Sequence, residues 1–413
     1  MPRYSVFTPT HKPDKLIDAY ESLLSQTDQD WEWVIVLNGG AQLPQMDDPR
    51  IKVFEYDSCY IGELKRYACQ QAEGEWLVEL DHDDILLPKA LELIGRSKAD
   101  FVFGNDIRVN DNWESLHFDG DGWESRSFLY RGHHLREVVA ADFWPSNFSR
   151  IWYAPDHVRA WRRSFYNSID GHNPDLRVGD DHDLVCRTAI FGTIEHINEP
   201  TYIYRVHDQN SWMKHQEEID EVQWENHNGY FEALSMRWAK DNGLPAIDLG
   251  GALECPDGYT SVDRHNADIL CDLDERWPFE DSSVGVIRAH DILEHLDPIH
   301  AMNEAHRVLV PNGVFDILVP STKGEGAWCD PTHKSFWNKR SFRYYTEQHM
   351  KRFLEPELTA RFQKVRVVDT ERWEGIPYVK AELLAYKGGP RVHGELLYDI
   401  LEEEEGGTHV DTI

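Results

Sequence analysis

The stretch from Glu73 to Asp84 reads as a short apolar strand that runs straight into three carboxylates, Asp81, Asp83 and Asp84. Acids fixed at a strand end can hold a divalent cation, and oxygen ligands suit Mg²⁺ or Mn²⁺. The same acids could instead form a turn and cap the helix expected to begin near Pro88, because Asp is common at such caps. The segments upstream restrict the fold. Tyr4 to Thr10 reads as a first strand, and Leu16, Ala19, Leu23 and Leu24 recur at helical spacing between Lys15 and Gln26. Trp31 to Leu37 is a second apolar strand closed by Asn38-Gly39-Gly40, Ile51 to Tyr56 a third, and Gly62 opens another helix. Alternating strands and helices imply an α/β fold with a parallel sheet. Ligands then sit at the strand carboxyl ends, where Thr8, Asn38 and Asp81 fall.

These residues, together with Lys65-Arg66, Pro88, Leu91, Gly179-Asp180-Asp181-His182-Asp183-Leu184 and Tyr204-Arg205-Val206-His207, make the first half resemble a family 2 glycosyltransferase of the GT-A fold. The resemblance implies a nucleotide-sugar donor bound by Thr8, Pro9, Thr10, Asn38, Lys65, Arg66, Asp81 and Asp83. It also implies an Mn²⁺ or Mg²⁺ site made by Asp83, Asp81 and His207, and Asp181 as catalytic base. Inversion needs one base for the acceptor hydroxyl, while the metal stabilises the leaving diphosphate.

Each residue has a plainer alternative. Asp180, Asp181 and Asp183 could cap the apolar helix that follows, His207 could be a surface hydrogen-bonding residue, and Lys65 and Arg66 could lie on an exposed helix face. Where many relatives carry an acidic pair after the second strand, this chain has Asn38-Gly39, which leaves the donor nucleotide open. Between Asp106 and Ala160 the aromatics Trp113, Trp123, Phe128, Tyr130, Phe143, Trp144, Phe148, Trp152 and Tyr153 fit either an acceptor groove or a core. His133-His134 has no partner at ligand spacing and reads as structural.

A helical stretch from about Glu217 to Asn242 leads to a second organisation. Leu244 to Gly251 is a strand ending in an acid and a glycine turn, and Tyr259 to Asp263 is another ending in an acid. With Cys271-Asp272-Leu273, Pro278 to Ser283, Glu294-His295 and a turn at Arg307 to Gly313, the region 244–388 resembles a class I S-adenosylmethionine-dependent methyltransferase, a Rossmann-like fold. The resemblance implies a cofactor site of Asp248, Gly250, Gly251, Asp263, Asp272 and His290. The departure is that Gly251 is followed by Ala252 to Asp257 rather than by further spaced glycines. The region is thus either an active O-methyltransferase or a degenerate docking domain. His333, in Asp330 to Trp337, is either the base for methyl transfer or an ordinary loop histidine.

A chain of 413 residues exceeds the roughly 250 to 300 at which single cores stop growing. The expected division is 1–216, a helical connector 217–243, 244–388, and an acidic tail 389–413 beyond a helix at Leu396 to Leu401. Six cysteines without a CxxC point to a reducing compartment, hence the cytoplasm. No apolar run is long enough for a bilayer, and the start lacks a signal peptide's apolar core, so no membrane insertion is expected. A net charge of −32 opposes nucleic acid and favours a protein or glycan acceptor. Oligomeric state leaves no mark. The combined reading is a bifunctional glycan-modifying enzyme. Its alternatives are a glycosyltransferase with a docking domain and a non-catalytic scaffold.

Overall fold

The computed structural model describes residues 1–116, 124–151, 154–208, 210–252, 254–372 and 375–388. The expected acidic tail and its helix lie outside the described residues, as do Trp123, Trp152, Tyr153 and Leu253. The chain divides into two compact units, Met1–Leu234 and Ser235 to the C-terminus. The helix Gln216–Asp241 carries the chain across this division.

In the first unit, Ile51–Glu55, Trp31–Leu37, Tyr4–Thr10 and Trp76–Glu79 run parallel in that spatial order. The sheet continues through Arg159–Arg162, Phe101–Val109, Ile194–Arg205 and Ile85–Leu86, with Arg159–Arg162 antiparallel to both its neighbours. The central strands are near-continuous apolar runs because both faces are covered, as parallel sheets require. Tyr4, Val6, Trp33, Ile35, Trp76 and Val78 pack with Leu16, Ala19 and Leu23 of the helix Leu16–Leu24. Their sequence neighbours Phe7, Val34, Val36 and Leu77 take the opposite face. There they meet Leu64 and Ala68 of Ile61–Gln71, and Leu184 and Val185 of Asp180–Phe191. Burying each large apolar side chain contributes about 1.5–3 kcal/mol.

The same period of two positions the polar groups. Glu79 pairs with Phe7 and shares the face of Leu77, so its carboxylate points into the layer formed by Ile61–Gln71 and Asp180–Phe191. Gly62 lets these elements close on one another. A Cβ there would lie 2.0 Å from the Asn173 carbonyl oxygen and 3.3 Å from Asp180 Cβ.

The second unit holds a sheet in the order Ile269–Leu270, Thr260–Asp263, Ala246–Leu249, Val284–His290, Leu309–Pro320, Ile376–Ala385 and Phe362–Arg372. The first five are parallel, and the last two add antiparallel ribbons. Its core gathers Ile247, Leu249, Val262, Trp277, Ile287, Met302, Phe315 and Trp337. Where the sequence suggested a turn at Arg307 to Gly313, the strand Leu309–Pro320 runs through. Its register with Val284–His290 shifts between Val284 and Val286, so the residues after Leu309 are taken up as an irregularity. Among the described residues no helix joins Ala246–Leu249 to the parallel strand Thr260–Asp263, and the return is made by a loop. A crossover of this kind ordinarily uses a dozen residues or more and a helix.

Candidate functional site

At the carboxyl edge of the first sheet, a cavity of about 610 Å³ is lined by Pro9, Lys65, Asp81, Asp83, Asp181 and His207, together with Arg108, Asp156, His157, Arg159, Asp180 and Tyr204. Residues far apart in sequence thus converge where an α/β sheet places its ligands.

The carboxylates after Trp76–Glu79 do not cap the following helix. Ala90–Arg96 is preceded by Lys89 without a side-chain cap. Asp84 instead accepts from the Arg205 N–H at 2.8 Å and the Tyr202 hydroxyl at 3.0 Å, which anchors the turn from below. Asp83 Oδ2 lies 2.7 Å from His207 Nε2. Asp81 Oδ2 lies 3.8 Å from His157 Nε2, which is also 3.9 Å from Glu79 Oε2. The acids therefore split into two groups, Asp83 with His207, and Asp81 with Glu79 and His157, whose ligand-capable atoms lie within 4.8 Å of one another.

The second acidic motif is no side-chain cap either. Gly179, left-handed at φ 67°, is the N-cap of Asp180–Phe191 and makes no side-chain bond. Asp181 faces the cavity and accepts from Arg159 Nη1 at 2.5 Å. Asp180 lies beneath it, 3.5 Å from Lys65 Nζ and 3.6 Å from His172 Nε2. Asp183 points away to Arg187 and the Tyr230 hydroxyl.

Electrostatics separates these acids. Burial pushes Asp181 up, but Arg159 and Lys65 outweigh it and hold the carboxyl well below the usual range. Burial dominates at Asp180, which is pushed up to about 7 with Asp181 and Glu79 adding to the shift against Lys65. At Glu79, Lys65, His157 and Arg159 together overcome burial and bring it down to about 2. Lys65 is buried, 2.6 Å from Glu79 Oε1, and the anions Asp180 and Glu79 keep it charged against desolvation. Its exposed-face alternative is thereby excluded. His157 is pushed up to about 9, because Asp156 and Glu79 outweigh both burial and Arg159.

Other expected donor residues lie elsewhere. Thr8 donates to the Leu80 carbonyl at 2.6 Å and accepts from Trp33 Nε1 at 2.9 Å, inside the sheet. Thr10 accepts from the Lys12 N–H, and Asn38 bridges to Ser58 through both its amide atoms. Arg66 pairs at the surface with Asp170 at 2.7 Å. An acid does reach the Asn38 turn, since Asp57 accepts from the Gly39 N–H at 2.6 Å. Of the aromatics, Phe148 is core, whereas Trp113 stacks on Tyr130 and on His133 beside a separate 220 Å³ pocket.

Glu79, His157 and Arg159 escaped the sequence reading. The available signal was a charge inside the four-residue apolar strand Trp76–Glu79 and a Pro155-Asp156-His157 cluster entering Arg159–Arg162.

In the second unit, Gly250 at φ 78° and Gly251 follow Ala246–Leu249, and a Cβ on Gly251 would meet Asp248 Oδ2 at 2.5 Å. Asp248 is buried and accepts from Arg288 at 2.8 Å. Asp263, at its strand end, accepts from the His265 N–H at 3.1 Å. Asp272 is held by Arg264 at 2.6 and 2.7 Å, and His290 Nε2 meets Asp316 at 2.9 Å. His333 packs edge-on to His295.

The first unit thus presents a carboxylate-ringed cavity at the edge of a mixed sheet, and the second a five-stranded parallel sheet with an antiparallel extension, in keeping with the two resemblances. Residues 5–151 match the glycosyl transferase family 2 model and residues 258–317 a methyltransferase domain model. Chondroitin synthase of Escherichia coli is 26% identical over 244 residues, 55% of this chain and 32% of that protein. GalNAc(5)-diNAcBac-PP-undecaprenol beta-1,3-glucosyltransferase of Campylobacter jejuni is 30% identical over 156 residues, 35% of this chain and 50% of that protein. The match therefore spans half or less of these relatives' length. S. aureus TarS 1–349 in complex with UDP-GlcNAc aligns with a TM-score of 0.41 at 17% identity, over 58% of this chain and 71% of that one. Among the described residues, no helix is long and apolar enough to cross a membrane.

Proposed function

We propose that the first unit transfers a sugar, with inversion, from a nucleotide-sugar donor to a glycan or protein hydroxyl. The observation that carries this reading is the single cavity that Lys65, Asp81, Asp83, Asp181 and His207 share. Asp181 takes the proton of the acceptor hydroxyl as that oxygen attacks the anomeric carbon, and the diphosphate leaves from the opposite face. Asp83 and His207 are the residues that would hold a divalent cation. Their side chains meet at 2.7 Å, and a carboxylate with an imidazole suits Mn²⁺. Such an ion neutralises the charge of the leaving diphosphate. Lys65 and Arg159 keep positive charge on the wall nearest Asp181. Six free cysteines fit a reducing compartment such as the cytoplasm.

Hydrolysis of UDP-, GDP- and dTDP-sugars with and without Mn²⁺ tests the reading. One nucleotide class should turn over, chelation should stop it, and Asp83→Ala should lower the Mn²⁺-dependent rate about 100-fold or more. Turnover indifferent to both chelator and substitution would remove the metal assignment.

For the second unit, we propose S-adenosylmethionine binding at Gly250, Gly251 and Asp263, with O-methylation of the glycan, coupled to the first step by tethering. Asp263 keeps acceptor capacity for ribose hydroxyls, and Gly251 makes room for the buried carboxylate of Asp248 beside it. A docking role is the second reading, favoured by the helix-free return between Ala246–Leu249 and Thr260–Asp263 and by the engagement of Asp272 with Arg264. Calorimetric titration with S-adenosylmethionine separates them: heat that is lost in Asp263→Ala supports a cofactor site of this kind, and no heat with no rise in Tm supports docking.

A further inference from the structure

In the second unit, the Leu293–His295 turn follows Val284–His290, and the loop Asp330 to Phe336 folds back onto it. The Glu294 carbonyl accepts from the Lys334 N–H at 2.7 Å and the Ser335 N–H at 2.9 Å, which fixes His333 over the turn. We propose that Glu294, His295 and His333 bind a first-row transition-metal dication, Zn²⁺ in the first place, through one carboxylate oxygen and two imidazole Nε2 atoms. The ligand-capable atoms of the three residues lie within 4.8 Å of one another.

Three independent features point to a cation. Glu294 is 3% exposed, and its Oε2 has no hydrogen-bond partner. A buried carboxylate oxygen left in that state is costly, and a bound cation removes the cost. The tautomers of both imidazoles follow from their neighbours. His333 Nδ1 lies 2.9 Å from the Ala327 carbonyl, which can only accept, so Nδ1 carries the proton and Nε2 the lone pair. His295 Nδ1 lies 3.0 Å from Thr332 Oγ1, whose own proton goes to Asp330 Oδ1 at 2.6 Å. Nδ1 of His295 is therefore also the donor, and its Nε2 is open. Metal-bound histidines are oriented in this way, with the remote nitrogen held by a carbonyl or a carboxylate relay. Finally, the rings meet edge-on at 74° with centroids 4.8 Å apart, and both residues are half-buried, so a solvated ion can reach them.

Two imidazoles and a carboxylate suit Zn²⁺, Co²⁺ or Fe²⁺ better than Mg²⁺ or Ca²⁺, and three protein ligands leave a coordination position free. This site goes beyond the functional reading above and stands whether or not the second unit transfers methyl groups.

The test uses the full chain with Asp83→Ala as background, which disables the cation site proposed in the first unit. After chelator treatment, Co²⁺ should add one equivalent with visible d–d absorption, and Zn²⁺ should displace it. His295→Ala and His333→Ala should each weaken Zn²⁺ binding by about 100-fold or more, with Glu294→Gln also weakened. Thermal unfolding reports whether each variant is folded. His333→Gln replaces any that is not, and the Co²⁺ spectrum of the background protein needs no further substitution. No d–d bands, or Zn²⁺ affinity unchanged in both His295→Ala and His333→Ala, would overturn the proposal.

Discussion

Asp181→Asn is expected to lower sugar transfer by about 10²- to 10⁴-fold while leaving the affinity for the nucleotide-sugar donor within a few-fold of wild type. The asymmetry follows from position. Asp181 reaches the cavity from the first turn of Asp180–Phe191 and pairs with Arg159, whereas Asp83 pairs with His207, so its loss removes the base without breaking the pair at the proposed diphosphate end. Asparagine keeps the shape and can still accept from Arg159 Nη1, which separates a chemical effect from a structural one. A scaffold would be indifferent to the change. Because Arg159 and Lys65 more than offset burial, Asp181 remains ionised far below neutrality, so it produces no fall in rate between pH 8 and pH 6. An acid limb inside that window belongs to another group. Asp180, pushed up to about 7 by burial and 3.5 Å from Lys65 Nζ, is the first to examine. Transfer measured at saturating donor, with donor affinity by calorimetry, checks the claim. Equal loss of both would assign Asp181 to binding.

The first sheet was legible because strands buried on both faces leave unbroken apolar runs: Tyr4 to Thr10 and Trp31 to Leu37 have the bounds read from sequence. The convergence of Asp81, Asp83, Asp181 and His207 on one cavity was legible only through the motif order, since nothing local brings them together. Local chemistry misled where it was ambiguous. Three acids before a helix look like a cap, yet Lys89 and Gly179 hold the two N-cap positions and the acids turn to Arg205, His207 and Arg159. Thr8 stands at the expected strand end, but the alternation of the strand turns its hydroxyl toward Trp33. In the second unit the strand-ending acids could be read, whereas the Arg264 partner of Asp272 could not, because a pairing across a turn has no periodic signature. The counter-charges were least visible of all. Arg159 matters through three-dimensional neighbours supplied by a separate strand and a separate helix.

Replacing that arginine is the largest stability effect the first unit should show. Arg159→Met is expected to destabilise the unit by about 3–5 kcal/mol, read as a lower denaturant midpoint, because it strips the shared cation from buried carboxylates rather than trimming a surface pair. Arg159 is 1% exposed, with Nη1 2.5 Å from Asp181 Oδ2 and 3.7 Å from Glu79 Oε2, and Nη2 3.9 Å from Asp156 Oδ1. Methionine fills a similar volume, so packing is largely kept and the electrostatic loss is isolated. The pH dependence has a definite sign. Glu79 is depressed from 4.5 to about 2, because Lys65, His157 and then Arg159 together outweigh burial, and Asp156 and Asp181 are depressed as well. A depressed carboxylate stabilises the fold above its unfolded pKa, and that contribution disappears as pH falls through the folded value. In the wild type this loss therefore falls below pH 4.5, extending toward pH 2. In Arg159→Met the folded values rise, the stabilisation is smaller at neutral pH, and acid unfolding begins at higher pH. Denaturant unfolding at pH 7.5, 5.5 and 4 measures both effects. A variant within about 0.5 kcal/mol of wild type at pH 7.5 would mean that Lys65 and His157 alone neutralise the cluster.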